Sequence, residues 1–353
     1  VAANQSTNVN GGVYNRGHLF MARCEVRDNI GPFGAGIRNI GGTAVVRDSL
    51  ITGNYASAFG GGVDVCYGSL ELLNSEVVGN EANRGGGMGI GGCPPTHVLI
   101  RDTLIAENTA PLGAGVLNNQ NVEIIATTIA DNTGPGLQQQ ATSAVATIER
   151  STIAANREGI LGGPGEVRIA NSTITKSSNF GIGTDGGALE ITHVTISGNG
   201  SSSTGDGGGI GGLEGRLVTV QSSIVAGNMA ASLPDCDDSV TITSLGHNLF
   251  GDPEGCGVLR PTDLLGDPGL APYTDPGAPG TGHFPLLEQS RAIDAANSAS
   301  CPPGDQLGTP RPQGYACDIG AIESPTGFQV VDIDADPWDD VNVVDPGSPS
   351  LLA

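Results

Sequence analysis

Positive charge is scarce in this chain. Lys176 is the single lysine, and 15 lysine and arginine side chains stand against 37 aspartates and glutamates, for a formal net charge of −22. Nucleic acids and anionic lipids bind proteins through clustered positive charge. The composition therefore argues against a protein that binds either of them through a basic surface.

Long apolar runs and aromatic side chains are also scarce. A membrane-spanning helix needs about 18 consecutive apolar residues, and the sequence contains no such run. Aromatic residues make up 4% of the chain and tryptophan occurs once, which is little aromatic surface for stacking on sugars. The chain also lacks an initiator Met and a secretion signal and opens in the middle of a repeat, so we expect an upstream secretion signal.

Glycine is abundant, and it recurs in a repeat. Segments 49–63, 75–88, 103–116 and 195–210 each contain a short apolar pattern, an Asn (Asn54, Asn80, Asn108, Asn199), a polar loop and a glycine run before Val, Met or Ile. Head-to-tail units of this length predict a solenoid, in which each unit is stabilised by its neighbours.

Apolar residues within each unit alternate as they do in strands. One unit contains Val122, Ile124, Thr127, Ile129 and Asn132; spacing by two places side chains on one face, and the step of three marks a bend. A third strand follows the glycine run. The sequence therefore predicts an all-β, right-handed parallel β-helix with three strands per coil and about nine or more coils.

The recurring Asn positions predict a structural ladder rather than a metal or substrate site. Stacked amides at a tight corner can bond to the backbone and to the amides of neighbouring coils. A column of small residues from Cys24 to Ser151 predicts stacking inside the coil in the same way. The predicted ladder comprises Asn29, Asn54, Asn80, Asn108, Asn132, Asn156, Asn199 and Asn228, with Ser177 at one position.

The repeat fades late in the chain, which divides it into three parts. We predict β-helix repeats over residues 1–230, a loop-rich, disulfide-containing C-terminal end or cap over 231–324, and an acidic tail or linker over 325–353. Seven cysteines favour export, with predicted disulfides Cys66–Cys93, Cys236–Cys256 and Cys301–Cys317. Cys24 is expected to be a free, buried thiol; an intermolecular bridge is the alternative.

The acidic tail offers one candidate metal site. Asp332, Asp334 and Asp336 begin like a calcium loop, but Pro337 stands where that loop needs a glycine. A solvated acidic linker is the favoured interpretation. We therefore expect no cofactor, with a structural calcium ion in the tail as the alternative.

Several late motifs together resemble a known family. They are SSIVAGN at 222–228, SLGHNLFGD at 244–252, LLGDPGLAPY at 264–273, HFPLLEQSRAIDAAN at 283–297 and ACDIGAIE at 316–323. This succession resembles the bacterial choice-of-anchor Q domain proteins, related to polymorphic outer-membrane and pectate-lyase-like repeats. The resemblance covers roughly residues 20–324 and implies secretion, a right-handed β-helix and surface attachment. It brings no catalytic motif, and the segment after Glu323 departs from the family pattern.

The favoured function is a non-enzymatic, secreted or cell-surface structural or adhesive protein of bacterial type. An open first coil and an apolar tail (328–331 and 341–344) suggest end-to-end assembly into filaments or matrix, with the protein itself as partner. The alternative is a polysaccharide-binding or polysaccharide-degrading lyase or hydrolase. Its candidate carboxylates are Asp185 and Asp206, one coil apart.

A second candidate binding surface lies just before the glycine strands. Phe33, Phe59, Arg84 and Leu112 occupy equivalent positions in successive coils. If they face outward, they form an aromatic and cationic strip that could stack on the sugars of a cell-surface polysaccharide. If they face inward, they pack the loops, and packing is the favoured interpretation.

Overall fold

The computed structural model describes residues 1–8, 11–94, 96–200, 205, 207–212 and 217–325, and the backbone of 329–330 and 343–344. Nine glycine-run strands, from nine successive turns of the chain, stack in one parallel sheet. This arrangement confirms the predicted all-β parallel β-helix. The described part contains no helix long and apolar enough to cross a membrane.

The first parallel sheet, here called the long sheet, contains 19 strands in two columns separated by a bend. The first column consists of His18–Ala22, Thr43–Arg47, Ser69–Leu73, His97–Arg101, Asn121–Ile125, Val145–Glu149, Leu217–Gln221 and Thr241–Gly246. The second consists of Glu25–Arg27, Leu50–Thr52, Glu76–Val78, Leu104–Ala106, Thr128–Ala130, Thr152–Ala154, Ile224–Val225, Leu249–Phe250 and Leu264–Leu265. Both columns are continuous in Glu166–Thr175 and Ala188–Ser197.

The second sheet, here called the glycine sheet, is formed by the strands that follow the glycine runs. These are Val13–Asn15, Ile37–Ile40, Val63–Cys66, Met88–Ile90, Val116–Asn118, Leu137–Gln139, Ile160–Gly162, Ile182–Thr184 and Ile210–Gly212. A short parallel sheet consists of Ile30–Phe33, Tyr55–Phe59 and Glu81–Arg84. Ser298–Ser300 is a 3₁₀ helix, and Gln329–Val330 pairs with Val343–Val344 in antiparallel fashion.

The bends between columns depend on residues in the left-handed region. Asp48, Asn74 and Asp102 occupy one such position in successive turns, with φ of 51°, 44° and 50°. Asp and Asn tolerate this conformation better than most residues, because their short polar side chains can bond locally. Apolar side chains on either side of the bend point inward, and one continuous core extends along the coil from Met21 to Cys256.

The recurring Asn side chains form a buried hydrogen-bond ladder along the coil. Where Asn follows Asn in the next turn, the amide nitrogen donates to the next amide oxygen, at 2.9 Å from Asn54 to Asn80 and 3.1 Å from Asn80 to Asn108. The same oxygen also accepts the backbone N–H of the preceding Asn. Because both groups are buried, each rung satisfies donors that would otherwise cost free energy.

The Asn and the last glycine of each run recur together for a steric reason. A Cβ added at Gly87 would lie 2.9 Å from the Asn108 amide nitrogen and 2.7 Å from the Gly115 carbonyl oxygen. In the same way, a Cβ added at Gly36 would lie 3.0 Å from the Asn54 amide nitrogen, and one added at Gly136 would lie 2.7 Å from that of Asn156. The ladder amide therefore occupies the space that a side chain on this glycine would need.

Two side-chain ladders end at aspartates. Asp235 Oδ1 accepts both the backbone and the side-chain N–H of Asn228, at 3.1 and 2.9 Å. The parallel ladder of Ser, Thr and Asn ends where Asp263 Oδ1 accepts the backbone and side-chain N–H of Asn248. A carboxylate accepts but does not donate, so it can close a column of donors.

Residues 267–325, here called the strap, run back along the outside of the coil. The outward threonines of four successive second-column strands bond to it: Thr128 to Gly280, Thr152 to Gly282, Thr173 to Gln306 and Thr195 to Ala321. A second apolar core lies beneath the strap, between Ile224 or Leu249 and Ala292 or Ile319. These contacts place much of the strap against the side of the coil, and the predicted division at 231–324 stays a prediction.

Carboxylates take the place of regular backbone pairing in the strap. Asp305 accepts the backbone N–H of Leu307, Thr309 and Glu323. Arg311 and Glu323 form an ion pair at 3.2 Å in which neither side chain is exposed. The acidic residues of the late motifs therefore have structural partners, which explains why they occur in loop-rich sequence.

The cysteines pair as expected from the sequence. Disulfides join Cys66 to Cys93, Cys236 to Cys256 and Cys301 to Cys317. Cys24 is free and half-buried, where full burial was expected. Its column still forms a ladder, because its backbone N–H donates to Ser49 Oγ at 3.0 Å.

Candidate functional site

A groove lies over the outer face of the glycine sheet. The middle residue of each glycine strand points outward, and the register places Arg38, Asp64, Gly89, Leu117 and Gln138 in consecutive turns. A loop glycine with positive φ approaches every member of this column except Gln138: a Cβ on Gly60 would lie 2.8 Å from Asp64 Cβ. The loops therefore form one wall of the groove and the outward column its floor.

The Phe33 strip lies along this groove. Phe33 pairs with Phe59 and Phe59 with Arg84 across the short sheet, and a bridge joins Arg84 to Leu112. The Phe59 ring packs on Gly89, where a Cβ would approach ring carbon Cε1 to 2.3 Å. Phe33 is 38% exposed and Arg84 is exposed. Loop packing, the favoured prediction, thus describes Phe59, whereas Phe33 and Arg84 face outward.

An ion pair forms part of the groove floor beside Phe33. Arg38 Nε lies 2.9 Å from Asp64 Oδ2, and the guanidinium carbon lies 4.7 Å from the centre of the Phe33 ring. Asp64 is 3% exposed, and its burial raises the pKa to about 6, although Arg38 opposes the shift. The pair fixes Arg38 between a carboxylate and an aromatic face.

Arg84 stands between two adjoining hollows of the groove. The first, of about 300 Å³, is lined by residues that include Phe33, Arg38, Phe59 and Arg84. The second, of about 400 Å³, is lined by residues that include Arg84, Asn119, Gln138, Gln140, Leu161 and Asp185. Arg84 Nη2 donates to Gln140 Oε1 at 2.6 Å. One end of the groove is therefore aromatic and cationic, and the other is rich in amides.

Gln138 adds an unsatisfied group to the amide-rich end. Its side chain is 8% exposed, and Oε1 makes no hydrogen bond within the part of the chain that the structure describes. Buried amide oxygens usually have a partner, and an orphan one retains the capacity to accept a hydrogen bond. Gln138 is thus a candidate polar contact for a bound molecule.

A third hollow, of about 700 Å³, lies at the corner between the glycine sheet and the long sheet. Its lining includes Arg16, His18, Tyr67 and His97 together with four glycines, and none of the predicted site residues. His18 Nδ1 is hydrogen-bonded to Thr43 Oγ1, and His97 faces Glu123 across 3.9 Å. These ring nitrogens already have neighbours, so the corner hollow is the weaker candidate.

Of the predicted carboxylate pair, only Asp185 lies within the described residues. Asp185 is exposed and lines the amide-rich hollow, whereas Asp206 lies outside the described residues. Asp64 is the other groove carboxylate, five turns from Asp185, or about 24 Å at about 4.8 Å per turn. Glycoside hydrolysis needs two carboxyl groups about 5–9.5 Å apart.

The predicted calcium site cannot be placed, because Asp332, Asp334 and Asp336 lie outside the described residues. Within the described ranges, no group of three His, Cys, Asp or Glu side chains is arranged to hold a metal ion. The described carboxylates of the strap bind backbone N–H groups instead, as Asp318 does with Asp294 and Ser324.

Arg38, Gln138 and Gln140 were missed in the sequence, although a signal for Arg38 exists. Arg38 follows Gly34 at the same spacing as Asp64 follows Gly60, and Gly34 and Gly60 both have positive φ. Counting from the first glycine of each run would therefore have placed Arg38 and Asp64 in one outward column. Gln138 belongs to a turn whose loop has no such glycine, because Thr133, Gly134 and Pro135 precede its strand.

Comparisons with known proteins bear on the fold. Residues 60–188 match the family model described as right handed beta helix region. The fold is a right-handed parallel β-helix. No curated protein matches the chain, and no solved structure matches it. The β-helix fold is shared by enzymes and adhesins. The match therefore assigns the architecture, and the activity has to be inferred from the residues of the groove.

Proposed function

We propose that this protein is a secreted or cell-surface β-helix that binds an extended glycan along the groove over the glycine sheet, without cleaving it. The resemblance to choice-of-anchor Q domain proteins and the three disulfides support an extracellular location. The observation that carries the proposal is the continuity of the groove, in which Arg84 lines both the aromatic hollow and the amide-rich hollow.

The two ends of the groove suit the two kinds of surface that a sugar presents. A half-exposed ring such as Phe33 can stack on the apolar face of a pyranose. Amides such as Gln138 and Gln140 can donate to and accept from hydroxyl groups. A linear polymer lying across the turns would contact both ends at once, which a small ligand could not do.

Among the described residues, the spacing of the groove carboxylates supports binding over cleavage. Asp64 and Asp185 are too far apart to flank one glycosidic bond, and Asp64 is already engaged by Arg38. A rigid coil with a fixed groove is sufficient for adhesion, because several weak sugar contacts along one polymer add together.

The test is calorimetric titration of the intact protein with soluble oligosaccharides of glucose, of N-acetylglucosamine and of uronic acids. We expect at least one class to bind and Phe33→Ala to weaken that binding about fivefold to tenfold, since one stacking contact is worth about 1 kcal/mol. Phe20→Ala is the matched control, because Phe20 is also an exposed ring beneath an arginine but lies on the long sheet.

The same mixtures, incubated overnight, report on cleavage. We expect no rise in reducing ends and no unsaturated product. If product forms and its formation is abolished in Asp64→Asn or Asp185→Ala, the protein is a lyase or hydrolase and this proposal is wrong. Failure of all oligosaccharides to bind would remove the glycan ligand altogether.

A further inference from the structure

The first turns of the coil differ in charge from the rest of the chain. Residues 1–93, which include all the residues that line the aromatic hollow, contain six of the 15 lysine and arginine side chains and seven of the 37 acidic ones, so this segment is nearly neutral within a chain of net charge −22. The aromatic hollow lies at this end of the groove, where Phe33 and Arg38 belong to the first turns. An anionic ligand would therefore meet less repulsion here than elsewhere on the surface.

Two guanidinium groups line the aromatic hollow, and one carboxylate balances only one of them. Arg38 uses Nε for Asp64, and its two Nη groups make no hydrogen bond within the described residues. Arg84 bonds to the neutral amide of Gln140 and has no ion pair in the described part of the chain. The hollow consequently holds one positive charge in excess.

The two arginines are held in place by different partners. Asp64, almost fully buried, anchors Arg38 on the Phe33 ring, and Gln140 anchors Arg84 at the boundary of the second hollow. A guanidinium binds a carboxylate or a sulfate through two parallel N–H groups. A planar anionic group on a sugar ring could lie between the two arginines while the ring stacks on Phe33.

We propose that the hollow between Phe33 and Arg84 is a subsite for the anionic group of an acidic glycan, bound by Arg84 and Arg38. This inference rests on the proposed function and adds the ligand class to it. Asp64 is a positioning residue for Arg38 in this subsite. The amide-rich hollow beyond Arg84 takes the neutral part of the polymer.

The experiment compares an oligouronide with the same oligomer after reduction of its carboxyl groups to primary alcohols. The two probes share backbone, length and linkage. We expect the intact protein to bind the oligouronide about tenfold or more tightly, since a charge-assisted hydrogen bond is worth about 1.5–3 kcal/mol. Raising the salt concentration should weaken the binding of the charged probe and leave the binding of the reduced probe unchanged.

Two arginine variants test whether the charge-dependent part of the binding arises at Arg84. Arg84→Gln should reduce affinity for the oligouronide about tenfold and change affinity for the reduced oligomer less than twofold. Arg84 is exposed, so this substitution leaves the core intact. Arg101→Gln, an exposed arginine on the long sheet, is the matched control and should change neither affinity.

The outcomes separate the two proposals. Binding of both probes with equal affinity, or equal loss of both in Arg84→Gln, would overturn the anionic subsite and retain the glycan groove. Binding of neither probe, nor of any neutral oligosaccharide, would overturn the groove itself. A sulfated oligosaccharide as a third probe distinguishes the anionic groups: tighter binding than the oligouronide would assign the subsite to sulfate.

Discussion

Single side chains set the register of this coil. Each ladder Asn connects its turn to the next through a buried amide, and each matching glycine leaves room for that amide. Ser177 is the exception. Its backbone N–H donates to Asn199 Oδ1 at 3.1 Å, but its buried Oγ makes no hydrogen bond among the described residues. The ladder is therefore interrupted between Asn156 and Asn199.

Replacing Ser177 with Asn should close this gap. The new amide would accept from Asn156 and donate to Asn199 as neighbouring rungs do, and we expect the free energy of unfolding to rise by about 0.5–1.5 kcal/mol. Equilibrium denaturation in guanidinium chloride measures the change. Ser178→Asn, an exposed position, is the control and should be neutral. A loss of stability in Ser177→Asn would contradict the ladder's role.

Among the structural elements, the strap is the one that joins distant turns. It bonds to the outward threonines Thr128, Thr152, Thr173 and Thr195, which stack in register on the long sheet. Its own interior is polar, and the buried Arg311 also donates to the carbonyl groups of Asp318 and Gly320. A buried ion pair contributes to stability only while both partners remain.

Removing one partner of this pair should therefore detach the strap. In Arg311→Met, Glu323 stays buried without its counterion, and we expect a loss of about 3–5 kcal/mol in the free energy of unfolding. The double substitution Arg311→Met with Glu323→Gln should recover part of that loss, because no charge is left unpaired.

Arg168→Met provides the comparison for the strap. Arg168 lies in exposed ion pairs with Glu166 and Glu190, and such pairs are worth at most about 1 kcal/mol. Proteolysis of the strap, followed by mass spectrometry, should accelerate in Arg311→Met alone. Equal losses in Arg311→Met and Arg168→Met would show that the buried pair has no special role.

The coil was predictable from sequence to the extent that it is periodic. Val122, Ile124 and Ile129 alternate inward because each must enter the core, and Asn132 recurs because its amide needs the same neighbour in every turn. The strap has no such period. Asp305 and Asp318 accept hydrogen bonds from backbone groups that only the tertiary fold brings near them. No spacing in the sequence predicts these partners.

The groove was predictable only in part, for a related reason. The Phe33, Phe59 and Arg84 strip aligns on the repeat, so its register could be read from the sequence. Whether each member faces outward depends on its individual neighbour: Phe59 lies on Gly89, while Phe33 lies beneath Arg38. The Arg84–Gln140 contact spans 56 residues of sequence, and no local pattern predicts it.

At the scale of the whole molecule, buried titratable groups act on stability in opposite directions. Burial raises the pKa of Asp64 and of Asp318 to about 6, so these groups stabilise the fold most below their ordinary range and lose that contribution as pH rises through 6. Burial, with Arg311 nearby, lowers the pKa of His193 to about 3. Its contribution is lost as pH falls from about 6.5 toward 3.

Asp64→Asn isolates one of these contributions. The asparagine cannot titrate, so we expect the variant to gain stability relative to the unmodified protein as pH rises from 4 to 7, by on the order of 2–3 kcal/mol. Denaturation at several pH values measures the difference. Ser57→Asn, an exposed and uncharged position, is the control and should show a flat difference. A flat difference for Asp64→Asn would show that its carboxyl titrates alike in both states.

The two terminal aspartates give the coil a direction. Apart from Asn156, which precedes Ser177, the amides in the Asn column donate an N–H to the next turn, so their dipoles align along the axis in the manner of the peptide units of a helix. Asp235 places negative charge at the donor end of this macrodipole, and an Asn there would leave two donors facing no acceptor. The carboxylate thus gives the column of side-chain dipoles a defined end, while the strands of the long sheet continue beyond it.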